Sequence, residues 1–152
     1  MNQNIQLRDV EAGDLAFIFE HQRDPVAVAM VDFRSRDAME FAAHWQKLLA
    51  DDTVLKQTVV VDGAVAGHIG SWTADGKREL GYWLDRAFWG RGIATAAITA
   101  YLRLESIRPL YASVAKHNVA SLRVLEKCGF TVAPASAEPS DASHFLLTLP
   151  AL

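Results

Sequence analysis

Two glycines, Gly90 and Gly92, stand where a run of alternating apolar residues ending near Asp85 gives way to a helical repeat starting near Ile93. Glycine lets a backbone approach a ligand closely, and the first N–H groups of a helix have no internal partners. A strand, glycine loop and helix in that order suit an anion such as a phosphate or pyrophosphate. Arg91, between the glycines, either adds charge at the rim or is simply solvated. Two well-known loops of this kind are excluded. There is no Gly-x-x-x-x-Gly-Lys-Ser/Thr string, and the third glycine of a dinucleotide fingerprint would fall on Thr95. Glu105 is also too near the loop to act as its ribose acid.

Other reactive side chains are scattered. Cys128 is the only cysteine, which excludes an internal disulfide and a cysteine-rich metal site. It falls late in a helical segment beside no obvious base and reads as a small buried apolar residue. His21, His44, His117 and His144 show no His-Glu-x-x-His spacing, and no metal is expected. His68, near Gly67 and Gly70, either faces an acceptor site or is structural. Asn118 either caps a helix or contacts a ligand.

The elements that must hold these residues follow from periodicity. A short strand is expected at Ile5–Leu7. A helix capped by Asp9 or Asp14 should then carry Leu15, Ile18 and Phe19 on one face. A second helix is expected over Arg36–Ala50, with Met39, Ala42 or Ala43, Gln46, and Leu49 or Ala50 recurring at intervals of three and four. Thr58–Val61, Asp62-Gly63 and Val65–Trp72 form a hairpin signal, because Asp-Gly supplies the positive φ angles of a tight primed turn. After a turn at Ala74–Lys77, Glu79–Asp85 alternates. Leu80, Tyr82 and Leu84 lie on one face, with Glu79, Gly81 and Trp83 on the other.

From Gly90 the helical stripe is Ile93, Ala97, Ala100 or Tyr101, and Leu104. Pro109 stops it, and Leu110–Ala115 reads as a strand. A helix from Asn118 to Cys128 ends at Gly129. Phe130–Ala133 is extended, residues 133–143 form a Pro/Ser/Ala loop, and Phe145–Leu149 is the last strand. Residues 1–152 therefore predict a single α/β domain, with a mixed sheet that is antiparallel early and contains one βαβ crossover.

The 152 residues are 51% hydrophobic and 22% charged, enough for a packed core without staples. A net charge of −3 argues against a general nucleic-acid binder. No apolar run nears the roughly 18 residues of a membrane span, and the N-terminus lacks a signal-peptide pattern. A cytoplasmic protein with neither nucleic acid nor membrane as partner is expected.

Trp89-Gly-Arg-Gly-Ile-Ala94 resembles the Gln/Arg-x-x-Gly-x-Gly/Ala pyrophosphate loop of the GNAT N-acetyltransferases, with Trp89 departing at the first position. Asn118-Val-Ala-Ser121-Leu-Arg-Val-Leu-Glu-Lys127-Cys-Gly129-Phe130 resembles that superfamily's second signature. Gly81-Tyr-Trp-Leu-Asp85 with Asn-x-x-Ser is most similar to the ribosomal-protein alanine N-acetyltransferases. The resemblance implies a GNAT-like fold with a splayed parallel strand pair and helices on both faces of the sheet. It also implies acetyl-coenzyme A as acetyl donor. The pantetheine would hydrogen-bond near Trp83 and Leu84. The pyrophosphate would meet the amides of Gly90, Arg91, Gly92, Ile93, Ala94 and Thr95, and Asn118 would contact the cofactor.

The implied reaction is direct attack by a primary amine, small-molecule or peptide, in a ternary complex. A backbone N–H near Leu84 would stabilise the oxyanion. Glu79 is the candidate base, or else an exposed strand-end glutamate. Leu125 stands where many family members carry a tyrosine acid. Ser121 is the candidate acid, or else a capping or packing residue. Asp32, Phe33 and Arg34 fall where the family shapes its acceptor pocket, though an ordinary polar loop is equally expected. The missing tyrosine leaves an alternative, a coenzyme A-binding regulatory module without catalysis.

Overall fold

The computed structural model describes residues 4–31, 35–132 and 144–151. Asp32, Phe33 and Arg34 and the loop 133–143 lie outside the described residues. A seven-stranded sheet runs in the order β1-β2-β3-β4-β5-β7-β6. Its strands are β1 Ile5–Asp9, β2 Leu55–Val61, β3 Ala64–Ala74, β4 Lys77–Leu84, β5 Leu110–Ala115, β6 Thr131–Val132 and β7 His144–Leu149. The helices are α1 Leu15–Gln22, α2 Pro25–Val31, α3 Ala38–Ala50, α4 Ile93–Tyr101 and α5 Val119–Lys127. Asp62-Gly63 and Asp75-Gly76 both have positive φ, so primed turns join β2 to β3 and β3 to β4.

β4 and β5 are the parallel pair, joined through α4 as the periodicity predicts. The remaining strand pairs are antiparallel. On one face, α4 and α5 close the main core through Ile93, Ala97, Ile98, Tyr101 and Leu125. On the other, Ile18 of α1 and Phe41 and Trp45 of α3 form a smaller cluster. The chain is thus a single-domain α/β fold with helices on both faces.

Several expectations are corrected. The buried face of α3 is Phe41 and Trp45, with Leu48 packed alongside, while Met39 is 84% exposed. The aromatic residues bury far more area than the alanine and glutamine stripe would, and they set the rotation of the helix. Leu104 lies beyond the end of α4 and is exposed, and Ile98 takes the buried position instead. Neither Asp9 nor Asp14 caps α1 with its side chain. Asp14 is held by Arg8 at 2.7 and 2.8 Å and by the Thr58 hydroxyl at 2.8 Å, and Asp9 accepts from Gln57. Asp14 also accepts from the Glu11 amide at 2.8 Å, so its carboxylate is engaged before α1 begins.

The helix α2 has no counterpart in the sequence reading. Its signal is Asp24-Pro25, a cap residue followed by a proline that presets helical φ. The Asp24 carboxylate accepts from the Val26 amide at 3.1 Å and pairs with Arg86 at 3.0 Å. His117 is hydrogen-bonded to the Ala29 carbonyl at 2.8 Å, which brings α2 over the end of β5.

Candidate active site

β4 and β5 are in register at only two positions, Arg78↔Leu110 and Glu79↔Tyr111. Beyond Glu79 they diverge, although both strands continue. The Asp85 amide donates to the Ala66 carbonyl at 2.8 Å, so alternation turns the main-chain groups of Leu84 and Tyr82 away from β3 and into the gap. Those of Trp83 point to β3, where it stands opposite His68. A wedge of about 240 Å³ fills the gap between Leu80–Trp83 and Ala112–Ala115. Next to it lies a cavity of about 450 Å³, walled by α2, the end of β4, the glycine loop and α5. Tyr82, Trp83, Asn118 and Ser121 line both.

The glycine loop has the geometry its sequence demands. Gly90 and Gly92 have φ of 72° and 74°, a region where other residues are strained. A Cβ at either would meet open space, so the requirement is conformational rather than steric. The first amide to reach a helical acceptor is that of Ala96, bonded to the Gly92 carbonyl. The amides of Ile93, Ala94 and Thr95 find no acceptor among the described residues, and all three residues line the larger cavity. Trp89, the departure from the family pattern, donates its indole N–H to the Leu84 carbonyl at 2.8 Å and ties the loop to the end of β4. Arg91 stacks over Phe88, with its guanidinium 5.3 Å from the ring centre.

Asn118 caps α5, its Oδ1 accepting from the Ser121 amide at 3.2 Å. The cap uses only one of its polar atoms. Its side-chain amide has no hydrogen-bond partner among the described residues. Ser121 accepts or donates at 2.6 Å with the Tyr82 hydroxyl, so the two candidate walls of the gap are bridged by a hydroxyl pair. Glu79 sits at the apex, on the last paired position and on the strand face opposite Tyr82.

That opposite face is aromatic. Trp72 is paired with Glu79, and a Cβ at Gly81 would stand 2.8 Å from its ring. Trp45 meets the His68 ring edge-on at 5.4 Å. Burial, reinforced by the nearby His21 and His44, pushes His68 down to about 4. It is neutral at neutral pH.

Of the residues the sequence singles out, Ser121, Asn118, Gly90 and Gly92 to Thr95 line the larger cavity, whereas Glu79 and Arg91 line neither cavity, and several neighbours had no counterpart in the sequence reading. Ala27 and Met30 of α2 line the larger cavity, as do Arg123 and Lys127 of α5. The two cations are four residues apart, a helical spacing that puts them on one face and was readable. Tyr82 was read only as part of a core-facing stripe. Cys128 lies with its sulfur 3.8 Å from the Thr95 carbonyl, and burial raises its thiol, which does not favour a nucleophile. Among the described residues no group of three metal-ligating side chains occurs.

A model of the acetyltransferase (GNAT) domain matches residues 4–131. No curated protein matches the sequence. Among solved structures, a spermidine N-acetyltransferase from Vibrio cholerae in complex with CoA and spermine is similar, with a TM-score of 0.81 and 17% identity over 96% of this chain and 95% of that one. An aminoglycoside acetyltransferase in complex with coenzyme A gives a TM-score of 0.79 and 17% identity over 97% and 95%. A GNAT-family acetyltransferase from Bacillus anthracis gives 0.77 and 17% over 96% and 94%.

Proposed function

The chain belongs to the GNAT acetyltransferases, and from that premise we propose that it transfers the acetyl group of acetyl-coenzyme A to a primary amine. The observation that carries this reading is the gap opening beyond Glu79↔Tyr111 and leading to a loop of positive-φ glycines at the head of α4. A strand left unpaired offers a row of main-chain donors and acceptors to an extended amide-containing ligand, and the pantetheine arm is one. Leu84 and Tyr82 present those groups, and Trp83 supplies wall. At the far end the pyrophosphate meets the amides of Gly90 to Thr95 and the positive end of the α4 dipole. Arg91, Arg123 and Lys127 add charge. Asn118 contacts the cofactor with its remaining side-chain amide group.

In the reaction the neutral amine attacks the thioester carbonyl, and the Leu84 N–H faces the developing oxyanion. Glu79 takes the amine proton through water, because it lies at the apex of the gap and on the opposite face. Ser121 serves the departing sulfur. The acceptor approaches over Gly70, beside the His68–Trp83 pair and the Trp72 ring that covers Gly81.

The spermidine and aminoglycoside enzymes among the similar structures support small-molecule amines as acceptors. The Gly81–Asp85 and Asn-x-x-Ser signatures support a protein N-terminal α-amine. With a pKa of about 8, such an amine is roughly one tenth neutral at pH 7 and needs little basic help.

Thiol release from acetyl-coenzyme A, followed across peptides, polyamines and aminoglycosides, tests the proposal. Amine-dependent release is expected, and Glu79→Gln should lower it by about 100-fold, most at low pH. Coenzyme A binding without release on any acceptor would instead identify a regulatory module.

A further inference from the structure

The bond between Tyr82 and Ser121 carries an inference about the protonation of the leaving group, and it rests on the acetyltransferase reading above. The two hydroxyl oxygens are 2.6 Å apart, a full-strength O–H···O distance. One comes from the open part of β4 and the other from the first turn of α5, and both residues line both cavities. Each hydroxyl owns one proton. Whichever residue donates, one proton is used between the oxygens and the other is left over. Among the described residues neither oxygen has a further partner. Leu125, buried one turn along α5, brings no proton of its own.

We infer that Tyr82 and Ser121 act as one donor unit, which always presents a single hydroxyl proton to the sulfur leaving the thioester. The amine nitrogen bonds to the carbonyl carbon, and the C–S bond breaks with its electron pair on sulfur. The nitrogen loses one proton to Glu79 through water. The hydroxyl unit gives one proton to sulfur, forming free coenzyme A, and regains one from solvent. Burial raises the Tyr82 phenol, against the opposing pull of the Ser121 bond, so it holds its proton at neutral pH.

The unit explains why losing a single hydroxyl need not abolish protonation. In Tyr82→Phe the serine keeps its own proton, and in Ser121→Ala the phenol keeps its own. Only the anchoring bond is lost. The double variant has no proton to offer.

The probe is coenzyme A itself, so no acceptor need be known. Its thiol is titrated while bound, through the ultraviolet absorbance of the thiolate, in the unsubstituted chain and in Tyr82→Phe, Ser121→Ala and the double variant. Calorimetry and melting confirm folding and saturation. A hydrogen bond to an ionised partner is worth about 1.5–3 kcal/mol, which is about tenfold or more in the thiol ionisation constant. The double variant should lose about tenfold, and each single variant less than about twofold, so that the double loss clearly exceeds the product of the singles. Equal titration in all four proteins would overturn the donor unit while leaving coenzyme A binding intact. So would a Tyr82→Phe that is silent in both backgrounds, or losses that simply multiply. Failure of the unsubstituted chain to bind coenzyme A would instead overturn the acetyltransferase reading, and this inference with it.

Discussion

Two hydroxyl pairs flank β4, Ser71 of β3 with Tyr101 of α4 and Tyr82 of β4 with Ser121 of α5, and they have the same length but different surroundings. Where β4 still pairs with β5, Ser71 and Tyr101 are 2.6 Å apart in a closed network. Ser71 donates to Glu105 at 2.6 Å, so Tyr101 donates to Ser71, with the Leu55 carbonyl 3.2 Å away as a second acceptor, and Arg78 donates to Glu105 at 2.6 Å. Both hydroxyl protons there have acceptors, and the carboxylate is buried with its cation. Where β4 has left β5, the hydroxyls of Tyr82 and Ser121 are, among the described residues, joined only to each other. A satisfied polar network fixes packing, and an incomplete one beside a cavity is available to a ligand. The first network ties β3, β4 and α4 together.

The largest expected effect is at the closed end. Arg78→Met leaves Glu105 buried without its cation and should cost about 3–5 kcal/mol in urea unfolding. Acetyl-coenzyme A affinity of the molecules that remain folded should barely change. A drop in affinity with little loss of stability would erase the distinction between the two ends.

Gly92→Val should act the other way round. A β-branched residue at φ 74° costs about 1–3 kcal/mol of strain, and that strain falls on the loop that presents the amides. Calorimetric titration should show affinity for acetyl-coenzyme A falling by about tenfold, and by more than in Arg91→Ala. The reverse ranking, with both variants folded, would make the arginine the main anchor.

The smallest effect lies on the aromatic face. Burial, then the neighbouring His21 and His44, lowers His68 from 6.5 to about 4. Between those values the unfolded chain binds more protons than the folded one. The contribution of His68 to stability is therefore full above pH 6.5 and is lost as pH falls through the window toward about 4. Urea midpoints at about pH 7 and about pH 5 should differ less in His68→Phe than in the unsubstituted chain. An unchanged slope would put the sensitivity elsewhere.

The strand and helix order was legible because it is local. Turn glycines, caps and alternation mark β2 to β5, α4 and α5 with boundaries displaced by only a few residues. The face of α3 was not legible, because its alanines, methionine and glutamine also repeat at helical spacing. Only the sheet beneath decides that Phe41 and Trp45 point inward. The candidate site was half legible. Loop 90–95, Glu79, Asn118 and Ser121 announce themselves by type and spacing, whereas Tyr82 looks like any core residue until α5 is placed across from it. α2 was missed because seven residues give a weak period, although Asp24-Pro25 marked its start.

The central claim is that the gap between β4 and β5, with the glycine loop at its end, is a coenzyme A cleft. Thermal unfolding with acetyl-coenzyme A, NAD and ATP, each at the same concentration, tests it most directly. A ligand at free concentration L held by the native state stabilises it by RT ln(1 + L/Kd) and so raises the melting temperature. A clear rise with acetyl-coenzyme A and much smaller ones with NAD and ATP are predicted. An equal or larger rise with NAD would contradict the account.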